Sequence, residues 1–310
     1  MQAPSIVVMV RPHHFSPNVE TASDNAFQVS NIADLDKNLV SSNAYKEVTQ
    51  VANKLASLGV TVHLFEDKTG DTPDSVFPNN WFTAHPNGNL CLYPMYAKNR
   101  RLERRNDIIE MLQERYKVNS IVDLTGWESR EEYLEGTGVM VFDYEQRAAY
   151  VSRSNRATER ALQDFCQKLN VRPVLFSAYD KSGVEVYHTN VLMCVTSDFV
   201  IIADEMIKND DERQMILDTI KKSGKKHVSL TELQISQFAG NMLELSGNSG
   251  RFIAVSETAY NALNHTQMKI ITEKVPLIPF AIPTIELAGG SIRCMLAGIH
   301  LPVKNASKAG

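Results

Sequence analysis

The chain has 310 residues, of which 43% are hydrophobic and 22% charged, a composition typical of a soluble globular protein with a sizeable core. The formal net charge of −4 offers no long-range attraction for nucleic acid or for an anionic membrane surface, and the one dense basic run, Lys98–Arg105, is short. No apolar run approaches the roughly 20 residues that a membrane-spanning helix needs. The sequence therefore predicts a soluble, cytoplasmic protein.

Short apolar segments alternate with amphipathic segments along the whole chain. The predicted strands cover residues 5–10, 60–65, 81–85, 89–93, 139–143, 148–152, 171–176, 187–195, 199–203, 227–230, 243–245, 252–256 and 274–279. The predicted helices cover residues 43–58, 102–116, 158–169, 210–222 and 257–271. The order strand, hairpin partner, helix, strand recurs about every 50–60 residues, a period typical of propellers and arrays. This repeat predicts a single α/β domain, residues 1–310, of about five ββαβ units around a pseudo-axis, with loops converging at one end.

The four cysteines, at positions 91, 166, 194 and 294, form no CxxC pair and no Cys/His group at zinc spacing. Such sparse use suits a reducing compartment with free thiols, and it predicts no metal site. The first residues are apolar only from position 6 to position 10 and carry no basic leader, which favours a buried strand over a signal peptide.

Cys294 lies just after the paired glycines Gly289 and Gly290. A thiol attacks as its thiolate and needs a base or a positive field nearby. Paired glycines permit positive φ and allow a substrate to approach main-chain amides. A single cysteine is more often a small buried hydrophobe, but that role does not need the glycines. We therefore interpret Cys294 as a candidate nucleophile and Gly290 as a candidate substrate contact.

Two earlier segments offer what a nucleophilic thiol needs. His188 and Asn190 begin an apolar segment that is predicted as a strand, where alternation would place both side chains on one face. Leaving either polar group buried without a partner would cost roughly 1–3 kcal/mol. Glu135 stands beside Gly136 and Gly138, which suits a close approach to a ligand. The alternatives are a satisfied core histidine and a solvated turn carboxylate.

A fourth polar cluster, Asp74–Asn80, precedes Trp81 and contains Phe77. Its amides are interpreted as candidate substrate contacts, and the alternative is that they only shape a turn. His13 and His14 are weaker candidates for the mouth of the site. The remaining histidines are interpreted as structural or surface groups.

Taken together, these segments resemble the guanidine-modifying superfamily of arginine deiminases, dimethylarginine dimethylaminohydrolases and amidinotransferases. The resemblance covers nearly the whole chain. It rests on four motifs in order: Phe77-Pro-Asn-Asn80, Glu135-Gly-Thr-Gly, His188-Thr-Asn190 and Gly-Gly-Ser-Ile-Arg-Cys294-Met.

The resemblance implies a five-bladed α/β propeller, in agreement with the repeat in the sequence. It also implies that Cys294 attacks the guanidino carbon, that His188 relays protons, and that Glu135 contacts the substrate and supports the histidine. The expected partner is a small amino-acid substrate, without a metal or an organic cofactor, and a homodimer stays open.

Two positions differ from the deiminase pattern, because Asn80 and Asn190 stand where deiminases carry aspartate. Those aspartates hold a cationic guanidinium through charge-assisted hydrogen bonds. An amide both donates and accepts, which suits a neutral ureido group better. This difference favours the subgroup that cleaves citrulline, or that takes arginine past the ureido stage to ornithine, with the citrulline-utilisation hydrolases as the nearest match. The alternative is that the amides only weaken guanidinium binding.

Two segments, residues 95–103 and 152–158, resemble the arginine-containing segments that hold a substrate carboxylate in deiminases. Arg101 and Arg156 are the candidate anchors, since an arginine fork meets a carboxylate bidentately; a solvated helix start is the alternative for the first segment. Asp74 is a further candidate contact. The expected mechanism is attack by the Cys294 thiolate beside a His188 imidazolium, with backbone amides of residues 290–294 at the oxyanion. Arginine deiminase or amidinotransferase chemistry, and a non-catalytic binder of arginine-like metabolites, remain alternatives.

Overall fold

The computed structural model describes residues 1–22, 25, 27–29 and 36–304, and the strands in this part of the chain form five three-stranded sheets. The strands are β1 (Ile6–Pro12), β2 (Thr61–Asp67), β3 (Phe82–Ala84), β4 (Asn89–Leu92), β5 (Ser120–Asp123), β6 (Val141–Asp143), β7 (Ala148–Ser152), β8 (Arg172–Phe176), β9 (Met193–Val195), β10 (Phe199–Ile202), β11 (Lys226–Ser229), β12 (Leu243–Gly247), β13 (Gly250–Ser256), β14 (Leu277–Phe280) and β15 (Ala297–Gly298). The helices are α1 (Lys37–Ser57), α2 (Asn106–Arg115), α3 (Gly136–Val139), α4 (Glu159–Leu169), α5 (Thr189–Leu192), α6 (Asp210–Ser223), α7 (Glu232–Ile235), α8 (Glu257–Ala262), α9 (His265–Thr272) and α10 (Pro283–Glu286).

All five sheets share one topology. In each, a short first strand pairs antiparallel with the middle strand, and the middle strand runs parallel to the third. Parallel neighbours need a crossover connection, and helices supply it: α1, α2, α4 and α6 in four sheets, and the pair α8 and α9 in the fifth. The first sheet takes its short strand, β15, from the far end of the chain. This pairing closes the ring of units, as in a five-bladed propeller.

The long helix α1 shows why these segments fold as they do. The side chain of Asp36 accepts hydrogen bonds from the backbone N–H groups of residues 38 and 39, which are otherwise unsatisfied at a helix start. Buried positions recur along one face at Val40, Ala44, Val48 and Leu55. That face packs into the core cluster that contains β1 residues and Cys294. The helix therefore supports the segment that carries the candidate nucleophile.

The predicted repeat of five ββαβ units is confirmed, and two local predictions are wrong. Residues 189–192 form the short helix α5, so the strand predicted over residues 187–195 is reduced to β9. The helix predicted over residues 257–271 is broken in two, because Asn264 caps α9 and forms a capping box with Gln267. The strands β5 and β15 were not predicted from the sequence. The single-domain boundary remains a prediction, and residues 305–310 lie outside the described part of the chain.

Candidate active site

One polar residue precedes the first strand of each sheet. Asn80 ends a short 3₁₀ turn before β3, Glu135 precedes α3 and β6, and His188 precedes α5 and β9. Asn241 precedes β12, and Cys294 precedes β15. Since the five sheets repeat one topology around the axis, these equivalent positions meet at one end of it. The repeat itself thus explains how residues so distant in sequence reach one site.

A small cavity lies at this end of the molecule. Its lining includes Asp74, Phe77, Asn80, Arg100, Arg156, His188, Gly290 and Cys294. The structure therefore brings most of the sequence-predicted site residues to one place. Of the others, Glu135 contacts His188 and Asn190 contacts Cys294, while Arg101 lies elsewhere.

The sulfur of Cys294 is buried between two amide groups. Its Sγ lies 3.4 Å from Nδ2 of Asn190 and 3.3 Å from Nδ2 of Asn241. Asn241 also donates to the backbone carbonyl of Asn190 and accepts from the backbone N–H of Arg293, each at 3.0 Å. Both amide nitrogens face the sulfur as hydrogen-bond donors. Asn241 therefore ties the cysteine segment to the α5 segment and contributes a donor to the thiol.

His188 and Glu135 form a buried pair, with His188 Nε2 at 2.8 Å from Glu135 Oε2. The second carboxylate oxygen of Glu135 accepts the backbone N–H of Tyr96 at 2.9 Å. Two guanidinium groups lie near the same carboxylate, Arg156 at 3.5 Å and Arg100 at 3.7 Å. Burial alone would raise the pKa of Glu135, but Arg156, the hydrogen bond with His188 and the charge of Arg100 hold it well below its ordinary value. Glu135 is thus an anion.

The protonation state of His188 differs from the sequence-based expectation. Burial lowers the pKa of His188 to about 4, although its hydrogen bond with Glu135 acts in the opposite direction. The imidazole is therefore neutral near neutral pH, whereas the sequence suggested an imidazolium. Because ionised Glu135 can only accept, Nε2 carries the ring proton and Nδ1 is left as a proton acceptor. This tautomer suits a general base.

Two candidate site residues have buried amide oxygens without a partner among the described residues. Neither Oδ1 of Asn80 nor Oδ1 of Asn190 has a hydrogen-bond partner among the described residues, and both side chains are buried. An unpartnered buried polar atom costs about 1–3 kcal/mol. Such a cost is typical of a site whose missing donors come from a ligand. Both residues are ones in which the sequence departs from the deiminase pattern.

Two glycines keep the cavity open. A Cβ at Gly290 would lie 2.6 Å from the ring of Phe77. A Cβ at Gly138 would lie 2.4 Å from Oδ1 of Asn80 and 2.9 Å from Cε1 of His188. All three distances are well inside van der Waals contact. A side chain at either position would displace groups of the site, which explains the need for glycine there.

Of two neighbouring arginines, Arg100 lines the cavity, whereas the sequence pointed to Arg101. Arg100 is held by Glu103 through two hydrogen bonds of 2.9 and 3.0 Å and lies 3.6 Å from Asp74. Arg101 instead donates to the backbone carbonyl of Met95 at 3.0 Å. Burial raises the pKa of Asp74, an effect that Arg100 only partly offsets. Asp74 and Arg100 thus lie side by side at the cavity wall.

Asn241, Arg100 and Tyr187 were not identified from the sequence. Tyr187 lines the cavity, and the guanidinium of Arg156 lies 4.8 Å from the centre of its ring. Position within the repeat was the available signal for Asn241, since it precedes the first strand of its unit like the other site residues. His13 and His14 do not line this cavity, and they border a separate surface depression with Tyr45.

Among the residues that the structure describes, no three His, Cys, Asp or Glu side chains are grouped as metal ligands. In the same part of the chain, no helix is long and apolar enough to cross a membrane. The expectation of chemistry without a metal or cofactor stays a prediction.

A model of the family described as N,N dimethylarginine dimethylhydrolase, eukaryotic, matches residues 11–301. A comparison with curated protein sequences gives no significant match. Solved structures of similar fold include the N-terminal domain of ArgZ, described as an arginine dihydrolase of the ornithine–ammonia cycle in Cyanobacteria and bound there to substrate. It is 17% identical with a TM-score of 0.75, and the match covers 96% of this chain and 98% of that one.

Two further structures have the same fold. Unliganded AgrE is 16% identical with a TM-score of 0.74, and the match covers 97% of this chain and 40% of the AgrE chain. Dimethylarginine dimethylaminohydrolase from Pseudomonas aeruginosa, in a cysteine-to-serine variant complexed with citrulline, is 12% identical with a TM-score of 0.67. That match covers 96% of this chain and 100% of the other. At these identities the likenesses establish the five-unit propeller fold alone.

Proposed function

Since the chain belongs to the N,N dimethylarginine dimethylhydrolase family of eukaryotic type, within the guanidine-modifying superfamily, we propose that it converts citrulline to ornithine, and arginine to ornithine by way of citrulline. The protein is a cysteine-dependent hydrolase of C–N bonds in guanidino or ureido compounds. The native substrate and the role of each site residue are the parts proposed here.

The observation that carries the proposal is the amide-rich environment of the sulfur. Two amide nitrogens, from Asn190 and Asn241, lie at 3.4 and 3.3 Å from Cys294 Sγ. The amide oxygens of Asn80 and Asn190 lack partners among the described residues. A ureido group has N–H donors for such oxygens and a carbonyl oxygen that accepts from amide nitrogens. A neutral planar ureido group therefore offers donors to the amide oxygens of Asn80 and Asn190.

In the first step, Nδ1 of His188 takes the proton of the Cys294 thiol as the sulfur attacks the ureido carbon. The carbonyl oxygen becomes an oxyanion, which nearby N–H donors of residues 290–294 and of the two asparagines stabilise. The C–N bond then breaks, and the imidazolium returns its proton to the departing amine, so that ornithine leaves. Glu135 fixes the tautomer of His188 and compensates the charge that the ring acquires.

In the second step, a water molecule replaces the departed amine. His188 takes a proton from the water as it attacks the S-carbamoyl group, and the C–S bond breaks to regenerate the thiol. The product carbamic acid decomposes to ammonia and carbon dioxide. With arginine, the first turnover releases ammonia from the guanidinium and water then releases citrulline, which enters the sequence above.

The amino-acid end of the substrate is proposed to bind at the charged wall of the cavity. Arg156, stacked 4.8 Å from the ring of Tyr187, and Arg100 are the anchors for the α-carboxylate. Asp74 lies on the same wall and suits the α-ammonium group. Arg101 is dropped from the proposed anchors because its guanidinium contacts the backbone outside the cavity.

A second candidate is hydrolysis of N,N-dimethylarginine to citrulline and dimethylamine, which the family match favours. The two candidates differ in their products and in the fate of citrulline. For the first, citrulline is a substrate; for the second, it accumulates.

The decisive experiment incubates the enzyme separately with citrulline, arginine and N,N-dimethylarginine and measures ornithine, citrulline, ammonia and dimethylamine. Ornithine from citrulline supports the proposal. Citrulline that accumulates without ornithine contradicts it and supports the second candidate or a deiminase. Repeating the arginine reaction with added glycine separates a transferase, which would form a guanidino derivative of the acceptor. Binding without any product would indicate a non-catalytic protein.

A further inference from the structure

A second, small cavity lies behind the candidate active site. We call it the axial cavity, since all five sheets line it through their first strands, with Thr83, Phe142, Cys194, Leu243 and Ala297. Each of these residues follows the active-site residue of its own unit along the chain. The axial cavity therefore continues the pseudo-axis on the far side of Cys294. Its lining residues Tyr144, Arg293, Gly298 and His300 are partly exposed, so solvent reaches it.

A guanidinium without an acidic partner lines the axial cavity. Arg293 donates one hydrogen bond, from Nη1 to the backbone carbonyl of Leu296 at 3.3 Å. No Asp or Glu in the described part of the chain lies within ion-pair distance of it. Arg100, in the active site, is by contrast held by Glu103 at 2.9 Å. A confined cation without a counter-charge attracts an anion.

Other donors share this cavity with Arg293. The hydroxyl of Tyr144 has no hydrogen-bond partner among the described residues, and the ring of His300 packs against Tyr144 with centroids 4.1 Å apart. A guanidinium offers five N–H donors in a planar fork that matches the oxygens of a carboxylate or a phosphate. A fork beside a free hydroxyl thus favours a small oxoanion over a neutral ligand.

Arg293 is also coupled to the candidate nucleophile. It directly precedes Cys294, and its backbone N–H is held by Oδ1 of Asn241, whose Nδ2 lies 3.3 Å from the sulfur. A positive charge next to a thiol favours the thiolate. An anion that neutralises this charge would therefore change the electrostatic field at the sulfur.

We propose that the axial cavity binds a small oxoanion on Arg293 and Tyr144, and that its occupancy slows reactions of Cys294. The binding step is independent of the proposed hydrolase activity, whereas the effect on turnover rests on it. The anion would act from the side opposite to the substrate, so it should lower kcat and leave KM unchanged.

Inorganic phosphate is the probe. Its binding is measured by titration calorimetry with the unmodified protein, with Arg293→Gln, and with Arg160→Gln as the control, because Arg160 is 78% exposed and remote from both cavities. The protein and the control should bind phosphate equally, and Arg293→Gln should lose binding. Equal binding by Arg293→Gln, or no binding by the unmodified protein, would overturn the proposal. Calorimetry contains no substrate, so this result is separate from any failure of the proposed function.

Two further readouts place the anion and guard against a variant that does not fold. Phosphate should slow alkylation of Cys294 by iodoacetamide in the unmodified protein and in Arg160→Gln, and not in Arg293→Gln. Inhibition that is competitive with substrate and persists in Arg293→Gln would place the anion in the substrate cavity and overturn the proposal. If Arg293→Gln does not fold, Tyr144→Phe, which removes one donor, should weaken phosphate binding about 10-fold. Unchanged affinity in that variant would count against the site.

Discussion

Replacing Gly138 by alanine is expected to damage catalysis by moving two active-site groups. The new Cβ would lie 2.4 Å from Oδ1 of Asn80 and 2.9 Å from Cε1 of His188. Since non-bonded carbon atoms prefer separations of about 3.5–4.0 Å, the imidazole has to retreat by roughly 0.5–1 Å. Its Nε2 is held at 2.8 Å by Glu135, so the retreat also strains that hydrogen bond. The glycine is therefore part of the geometry of the site.

The expected loss of activity is large, although the substitution removes no functional group. A displacement of about 1 Å can cost 10²-fold in rate, which is about 3 kcal/mol in the activation barrier. The overpacked site should also lower the free energy of unfolding by about 1–3 kcal/mol. Steady-state kinetics with citrulline, or with whichever substrate proves active, would measure kcat and kcat/KM. Thermal unfolding would show that the variant is folded.

Gly126→Ala is the matched control, because a Cβ at Gly126 meets no atom within 4 Å. This variant should keep the activity and stability of the unmodified protein. If Gly138→Ala folds and retains full kcat/KM, then His188 and Asn80 do not have the catalytic positions described above. An equal loss in both variants would point to a general effect of glycine replacement instead.

Three further predictions concern specificity, ion pairing and acid stability. Changing Asn80 and Asn190 together to aspartate should raise the ratio of kcat/KM for arginine to kcat/KM for citrulline by about 10-fold, because charge-assisted hydrogen bonds favour a guanidinium. An unchanged ratio would mean that these amides do not set specificity. Arg100→Gln should lower the free energy of unfolding, measured with urea, by about 3–5 kcal/mol, because it leaves a buried carboxylate unpaired. Arg101→Gln, at the partly exposed neighbour, should lower the free energy of unfolding by less than about 1 kcal/mol. Equal losses in the two variants would refute the conclusion that Arg100 is the buried, ion-paired arginine. Burial lowers the pKa of His85 from 6.5 to about 4, so the unfolded chain binds more protons between these values and the folded state loses stability as the pH falls through them. His85→Gln should recover on the order of 3 kcal/mol of that loss in the free energy of unfolding between pH 7 and 4. A free energy of unfolding with the same pH dependence in this variant would contradict the shift.

The sequence allowed the architecture to be predicted because each unit repeats the same strand and helix pattern. What it did not reveal depends on packing. The two-residue strand β15 is defined only by its pairing with β1 at the other end of the chain. The stretch after His188 has the apolar run of a strand but becomes a helical turn. The strand alternation that would place His188 and Asn190 on one face therefore does not apply. Patterns in a short apolar run do not distinguish these outcomes.

The candidate site was predicted to the level of motifs and missed at the level of single side chains. Arg100 and Arg101 lie on one 3₁₀ turn, Asn99–Glu103, where neighbouring side chains point in directions about 120° apart. The phase of that turn decides which arginine enters the cavity, and the sequence carries no signal for it. The neutral state of His188 is likewise a consequence of burial, which only the folded chain defines.

Trapping of a covalent adduct tests the central claim most directly. The enzyme is mixed with citrulline, quenched in acid during turnover, digested and examined by mass spectrometry. We expect a carbamoyl group on the peptide that contains Cys294. In the Cys294→Ala variant, both this adduct and the turnover of citrulline should be absent. Turnover of citrulline that persists in Cys294→Ala, or an adduct on a different residue, would contradict this claim.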